Sequence, residues 1–162
     1  MNQKITTNKY FTISYLLILG IVIGASIYAG AIVAPVIFNS QMWLGSELLS
    51  RFQEGLIMTQ NFIGLKYFII IASIAIFLYE GYQYKRFNRD LIKTLSALGA
   101  IMSGALFNFF YMSAIIDMQK QGPSIINDKI FNNMHIGSQI ALVFFILFCL
   151  ALFVKTLLKE LK

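Results

Sequence analysis

Four long, predominantly apolar windows, separated by short polar segments, dominate the pattern along this sequence. They cover 13–38, 56–82, 94–116 and 132–155. Each exceeds the ~20 residues that a helix needs to cross the ~30 Å hydrocarbon core of a bilayer. Apolar runs such as 68–72 do not alternate with polar residues, as the strands of a membrane barrel would. The pattern therefore predicts an all-α integral membrane protein, a bundle of four transmembrane helices that forms a single membrane domain over 1–162.

Composition supports lipid as the surroundings of these helices. Hydrophobic residues make up 58% of the chain and charged residues 12%, about half of the ~25% that soluble domains carry. A soluble domain of 162 residues has too little interior to bury so much apolar surface. This composition excludes a conventional cytosolic enzyme and a disordered tail.

The basic residues are distributed unevenly between the two sides of the predicted bundle. Nine of the 13 Lys and Arg lie near the chain ends or between the second and third windows, whereas three lie in the other two loops. Short loops rich in Lys and Arg stay cytoplasmic, so we expect both termini in the cytoplasm and a multi-pass protein of the bacterial inner membrane. Because the basic residues lie at helix ends rather than on one aromatic-studded face, we expect no nucleic acid as a partner.

Small residues recur at helical spacing in the first and third windows. The rows contain Gly20 and Gly24, then Gly30, in the first helix, and Gly104 with Asn108 in the third. Lipid supplies no hydrophobic drive for helix association, so close backbone approach at small residues matters. We expect these rows to pack against other helices, either within the bundle or in a dedicated oligomerisation surface. Asn108 should face protein, because its amide needs a hydrogen-bond partner.

Lys66 is a basic residue deep inside a predicted span. A charged side chain in the membrane is costly unless it pairs, reaches the interface or lines water. If the second helix enters the core near Gln60, the Lys66 side chain can snorkel to the surface. If the core begins at Leu56, Lys66 needs a carboxylate, for which Asp117 is the first candidate and Glu54 the second. Lys66 is thus either a structural or a functional residue.

The methionines and the single histidine indicate a possible site for a soft metal ion. Met112, Met118 and Met134 map to the non-cytoplasmic end of the bundle together with His135. Thioether ligands favour soft ions such as Cu(I). The alternatives are that Met fills gaps in the packing and that His135 is hydrogen-bonded at the interface. One histidine disfavours haem, and no catalytic residue is assigned because no phosphate loop, metalloprotease motif or nucleophile elbow occurs.

Two short motifs make the chain resemble a group of small membrane proteins. Gly20-x3-Gly24 followed by VAPVIF at 33–38, with Phe131-x3-His135-x2-Ser138 in the fourth window, resembles the family of transmembrane protein 205 and its bacterial relatives of unassigned function. More remotely, the chain looks like the membrane domains of copper-resistance CopD proteins and HemJ-type haem-binding oxidases. The resemblance implies a four-helix bundle with Pro35 and His135 at the positions that match the family pattern, and it adds weight to soft-metal handling.

Three functions follow from these observations. The first is a non-enzymatic accessory protein that binds, stabilises or helps assemble a larger membrane complex, with the lipid bilayer and other membrane proteins or further copies of itself as partners. The second is soft-metal (copper-like) binding or resistance at the outer face. The third is a haem- or quinone-dependent membrane redox protein. The absence of catalytic motifs favours the first.

Overall fold

The computed structural model describes residues 9–86 and 90–161, most of which lie in four long helices. These helices cover Lys9–Phe38, Arg51–Lys85, Leu91–Gln119 and Lys129–Glu160. Each is long and apolar enough to cross a membrane. The prediction of four helices that are long and apolar enough to span a membrane is therefore confirmed, and these helices extend beyond the predicted windows by up to five residues at their ends.

The helices form a ring in which each contacts its neighbours in sequence and the fourth closes against the first. The first helix begins and the fourth helix ends at the same end of the bundle, which we call the terminal end. The opposite end, which we call the distal end, carries the connections at 39–50 and 120–128. A short helix, Ser40–Leu44, and a 3-10 turn, Pro123–Asn127, lie in these two connections.

Polar side chains determine where three of the helices begin. The Ser50 hydroxyl accepts from the Gln53 amide, and the Gln53 side chain accepts from the Ser50 amide. Asp90 and Asp128 each accept from the backbone amides two and three residues ahead. These bonds satisfy N–H groups that the first helical turn leaves unpaired. The second helix consequently begins at Arg51, ahead of the apolar residues that follow.

Two helices contain a π-helical turn, over Tyr28–Val33 in the first and Leu106–Tyr111 in the third. The first turn precedes Pro35, which has no N–H and whose ring crowds the carbonyl of Ala31, four residues earlier. A wider turn accommodates this break, and the helix then continues to Phe38. Turns of this type are rare and are frequently found at functional sites.

Within the described residues, the most extensive contact between helices is that of the third and fourth. A Cβ atom added to Gly99 would lie 2.6 Å from the Phe148 ring, and one added to Gly104 would lie 3.2 Å from Phe145. A side chain at Gly99 would therefore force the Phe148 ring or the third helix to shift. On the outside, large apolar side chains such as Leu17 and Phe77 are exposed on the helices, as expected of a protein surrounded by a lipid bilayer.

Candidate functional site

A network of polar side chains holds the distal end together. The Ser40 hydroxyl donates to Glu54 Oε1 at 2.7 Å. Arg51 Nη1 lies 3.3 Å from Glu54 Oε2 and donates to the backbone carbonyl of Phe38 at 3.0 Å. The guanidinium carbon also lies 4.3 Å from the centroid of the Phe38 ring. These contacts connect the end of the first helix to the beginning of the second.

Beside this network lies a cavity of about 160 Å³, which we call the distal cavity. It is bounded by the second, third and fourth helices together with the end of the first. Gln119, which borders it, donates from Nε2 to Thr59 Oγ1 at 3.0 Å. Its polar lining consists of Arg51, Thr59, Gln119, Asn132, His135 and Ser138.

Two thioethers and the histidine meet at the distal cavity. Met58 and Met112 are buried and line it together with His135. Met118 and Met134, which the sequence also suggested as ligands, are half-buried and are not among the lining residues. Within 9–86 and 90–161, no group of three or more His, Cys, Asp or Glu side chains could hold a metal ion. A metal ion bound here would therefore depend on sulfur ligands.

His135 is half-buried and lines two cavities. Its ring meets the Phe38 ring edge-on, with centroids 6.3 Å apart. Ser138 Oγ donates to the backbone carbonyl of His135 at 2.6 Å. Neither imidazole nitrogen has a hydrogen-bond partner among the described residues. The ring can therefore bind a ligand without breaking an existing hydrogen bond.

The second cavity, of about 440 Å³, runs between the first and fourth helices, and we call it the lateral slot. It shares Phe38, Phe62, His135 and Ser138 with the distal cavity. On the fourth helix the slot extends from His135 to Ile146, a distance of about 17 Å at ~1.5 Å per residue. Its other lining residues are Ser26, Ile27, Gly30, Ala31, Ala34, Phe107, Gln139, Leu142 and Val143.

The slot exists because the first helix presents small residues there. A Cβ atom added to Gly30 or to Gly24 would contact nothing within 4 Å, whereas one on Gly20 would lie 3.8 Å from Phe153. Gly20 thus faces the fourth helix, and Gly30 faces open space inside the π-helical turn. Ser26 also borders the slot; it is 1% exposed, and its Oγ has no hydrogen-bond partner among the described residues.

Lys66 lies on the second helix beside the π-helical turn of the third. Its Nζ is 5.3 Å from the centroid of the Phe109 ring, and Asn108 Nδ2 donates to its backbone carbonyl at 3.4 Å. Asn108 is itself 1% exposed, and its Oδ1 has no partner among the described residues. Asp117 forms its ion pair with Lys120 instead, at 2.7 Å.

The other candidate carboxylate, Glu54, is paired with Arg51. Within the part of the chain that the structure describes, Lys66 therefore has no acidic partner. A membrane core that begins at Leu56 predicted an ion pair between Lys66 and Asp117. The structure does not show this ion pair, because Asp117 is paired with Lys120.

The sequence pattern of a domain of unknown function, DUF4149, matches residues 17–124, two thirds of the chain. The chain belongs to the DUF4149 family. No curated protein and no solved structure matches it.

The DUF4149 match begins within the first helix and ends in the connection after the third. It therefore includes Lys66, Asn108 and the first-helix wall of the lateral slot. His135 and the fourth-helix wall lie beyond the matched residues.

This DUF4149 protein also contains a buried ion pair that the sequence analysis missed. Lys93 Nζ lies 3.1 Å from Glu80 Oε1, and the two side chains are 8% and 12% exposed. The Tyr15 hydroxyl donates to the same carboxylate oxygen at 3.0 Å, and its ring stacks on that of Tyr79 with centroids 4.0 Å apart. The sequence could have indicated this ion pair, because Glu80 and Lys93 lie at the facing ends of two helices that are joined by a short connection.

Proposed function

We propose that the protein is a non-enzymatic accessory subunit of a membrane complex, and that it contacts its partner through Lys66, Tyr67 and Phe109. We call these three residues the Lys66 patch. The observation that supports the proposal is a charged residue inside a spanning helix that finds no counter-ion in the described part of its own chain.

The depth of Lys66 makes this observation significant. The second helix has 35 residues, so it is about 52 Å long at ~1.5 Å per residue. Centred on a hydrocarbon core of ~30 Å, it would place Lys66 about 11 Å inside the distal boundary. A charge at this depth is stabilised by a counter-ion or by water. The Phe109 ring supplies only a cation–π contact.

The surroundings of Lys66 fit a protein partner better than lipid. Tyr67 and Phe109 are each 63% exposed, so a phenol and an aromatic ring face outward, and the ammonium of the half-buried Lys66 lies over the Phe109 ring. Polar side chains stabilise the association of transmembrane helices through hydrogen bonds that lipid cannot provide. The partner we propose is a transmembrane helix with an Asp or Glu at the depth of Lys66.

The proposal includes the orientation that the charges favour. Both termini lie in the cytoplasm, which places the Lys66 patch in the outer half of the bacterial inner membrane. We also propose a family relationship. It connects the chain to transmembrane protein 205 and, more remotely, to CopD- and HemJ-type membrane domains. A reporter fused to the C-terminus tests the orientation: activity of a periplasm-only reporter would contradict it.

Site-specific photo-crosslinking in native membranes tests the accessory role. A photoreactive residue at Tyr67 should capture a discrete membrane protein, identified by mass spectrometry. The matched control is Leu147, which is 54% exposed on the fourth helix, diagonally across the bundle. Lys66→Met should reduce co-purification of the captured protein at least tenfold, whereas Lys66→Arg should retain most of it. Recovery of a monomer without adducts, or equal adducts at both positions, would contradict the accessory role.

A second function, soft-metal binding, is favoured by the two thioethers and the imidazole around the distal cavity. We propose Met58, Met112 and His135 as its ligands, since sulfur prefers Cu(I) and Ag(I). Titration with Ag(I) should show one site that Met112→Leu and His135→Ala each weaken, while Met118→Leu does not. Identical titration curves for all four proteins would exclude this site. The third function, haem- or quinone-dependent redox chemistry, stays a prediction that an optical spectrum tests for haem through the Soret band.

A further inference from the structure

We infer that the lateral slot binds a long-chain fatty acid, with the hydrocarbon chain in the slot and the carboxylate near His135 and Arg51. This inference does not rest on the accessory role. The slot lies between the first and fourth helices, whereas the Lys66 patch lies between the second and third, on the opposite side of the ring.

The size of the slot indicates the class of occupant. Its volume of about 440 Å³ falls within the ~300–1,000 Å³ of typical small-molecule sites. A transmembrane helix about 10 Å across and ~30 Å long would need roughly 2,400 Å³. The slot is therefore too small to enclose a partner helix. Its length of about 17 Å matches the depth of one leaflet, ~15 Å.

Polarity along the slot follows that of a single-chain amphiphile. His135, Ser138 and Gln139 lie at its distal end, whereas Leu142, Val143 and Ile146 line the fourth helix toward the membrane centre. A molecule that enters from the outer leaflet would keep the same order, with its polar head at the surface and its chain below. The slot accommodates one chain, so a diacyl lipid would leave its second chain outside.

The groups near the head position are hydrogen-bond donors. The distal cavity, which shares Phe38, Phe62, His135 and Ser138 with the slot, is also lined by Arg51 and Asn132. Arg51 has five N–H donors, and among the described residues only its Nη1 donates, to Glu54 and to the Phe38 carbonyl. Of the described residues that line the two cavities, none is acidic. A carboxylate suits this lining because guanidinium binds it through paired, charge-assisted hydrogen bonds.

The imidazole of His135 borders the head position as well. His135 is half-buried, and neither of its ring nitrogens has a hydrogen-bond partner among the described residues. A ligand carboxylate at His135 would supply one. The buried Ser26 hydroxyl lies at the other end of the slot, about 18 Å from Phe38 at ~1.5 Å per residue, and is not part of the head position.

Photolabelling of the purified full-length chain tests the inference. The probe is a C16 fatty acid that carries a diazirine near the end of its chain. Labelling should map to the slot-facing residues of the first and fourth helices. Unlabelled palmitate should displace the probe, whereas hexadecyltrimethylammonium, which has the same chain and a cationic head, should not. Arg51→Gln should raise the palmitate concentration needed for displacement about tenfold.

Two glycine substitutions form a matched pair of variants. Gly30→Leu adds a side chain at the slot, where a Cβ contacts nothing within 4 Å, and Gly64→Leu adds the same side chain outside the slot, at a position where a Cβ is equally free of contacts. Labelling should fall at least tenfold in Gly30→Leu and remain unchanged in Gly64→Leu. Ala31→Phe provides an independent block if Gly30→Leu does not fold.

Three results would overturn the inference: undiminished labelling in both blocked variants, equal displacement by the cationic amphiphile, or labelling spread evenly over the lipid-facing surface. Labelling of the slot by a diazirine phosphatidylglycerol that palmitate cannot displace would also overturn it, because the occupant would then be a phospholipid. Absence of the Tyr67 crosslink would leave these results unaffected, so the two proposals fail independently.

Discussion

Glu80 and Lys93, on the second and third helices, form an ion pair with 3.1 Å between Oε1 and Nζ and with both side chains almost fully buried. Tyr15 on the first helix donates a hydrogen bond to the same carboxylate oxygen. One carboxylate thus connects three of the four helices at the terminal end. Removal of either charge leaves the other buried and unpaired, which is more costly than the loss of the attraction alone.

We expect Glu80→Gln and Lys93→Met each to lower the free energy of unfolding by about 3 kcal/mol. The double variant should recover part of this loss, because it leaves no unpaired charge. Unfolding in mixed micelles, followed by circular dichroism, measures all three. Strictly additive losses in the double variant would show that the two groups do not interact.

Tyr15→Phe should cost less than either charge substitution, about 1.5 kcal/mol, the lower end for a hydrogen bond to a charged group. The ring and its stacking on Tyr79 are retained, so the change reports the hydroxyl alone. Tyr28→Phe is the matched control, because Tyr28 is 58% exposed on the same helix. Equal stabilities of the two variants would argue against the bond to Glu80.

The four helices were predictable because lipid obliges the backbone to satisfy its hydrogen bonds within each segment. An apolar window of sufficient length is therefore expected to form a helix. The ends were less predictable, since a helix begins where side chains cap its first amides. Ser50, Asp90 and Asp128 do this outside the apolar windows.

The convergence of side chains was not predictable from spacing alone. Met58 and Met112 reach the distal cavity while Met118 and Met134 do not, although all four map to the same end of the bundle. The direction of a side chain depends on how each helix is rotated about its axis. That rotation follows from close contacts such as Gly99 on Phe148 and from the two π-helical turns, which no local pattern in the sequence reveals.

Gly99→Ala should destabilise the bundle by roughly 1–3 kcal/mol, the usual cost of overpacking. The added methyl group would lie 2.6 Å from the Phe148 ring, so that ring or the third helix must move. Gly64→Ala is the control, since its Cβ meets nothing within 4 Å, and it should be neutral or stabilising by up to about 1 kcal/mol. Thermal unfolding compares the two, and a destabilised Gly64→Ala with an unchanged Gly99→Ala would contradict the packing of these helices.

Asp90 gives the bundle a dependence on pH at its terminal end. Burial alone would raise the pKa of Asp90, but the backbone amide of Lys93, the Lys155 ammonium 3.4 Å away and the amide of Ile92 stabilise the carboxylate, and the pKa lies below its usual value. A carboxyl group whose pKa is lowered on folding stabilises the folded state above its unfolded pKa, ~3.9. That contribution disappears as the pH falls through the lower, folded pKa.

Between pH 7 and about pH 3, the wild-type protein should therefore lose more stability than Asp90→Asn, because below pH ~3.9 the unfolded chain binds a proton at Asp90 that the folded carboxylate, with its lower pKa, does not yet bind. Asparagine remains a good N-cap, so this substitution removes the charge and keeps the cap. Asp117→Asn is the control: Asp117 is 70% exposed and its ion pair with Lys120 lies at the surface, where such pairs contribute little. Thermal melts across this pH range measure the difference, and parallel curves for wild type and Asp90→Asn would mean that Lys155 and the helix amides do not hold the carboxylate in its charged form.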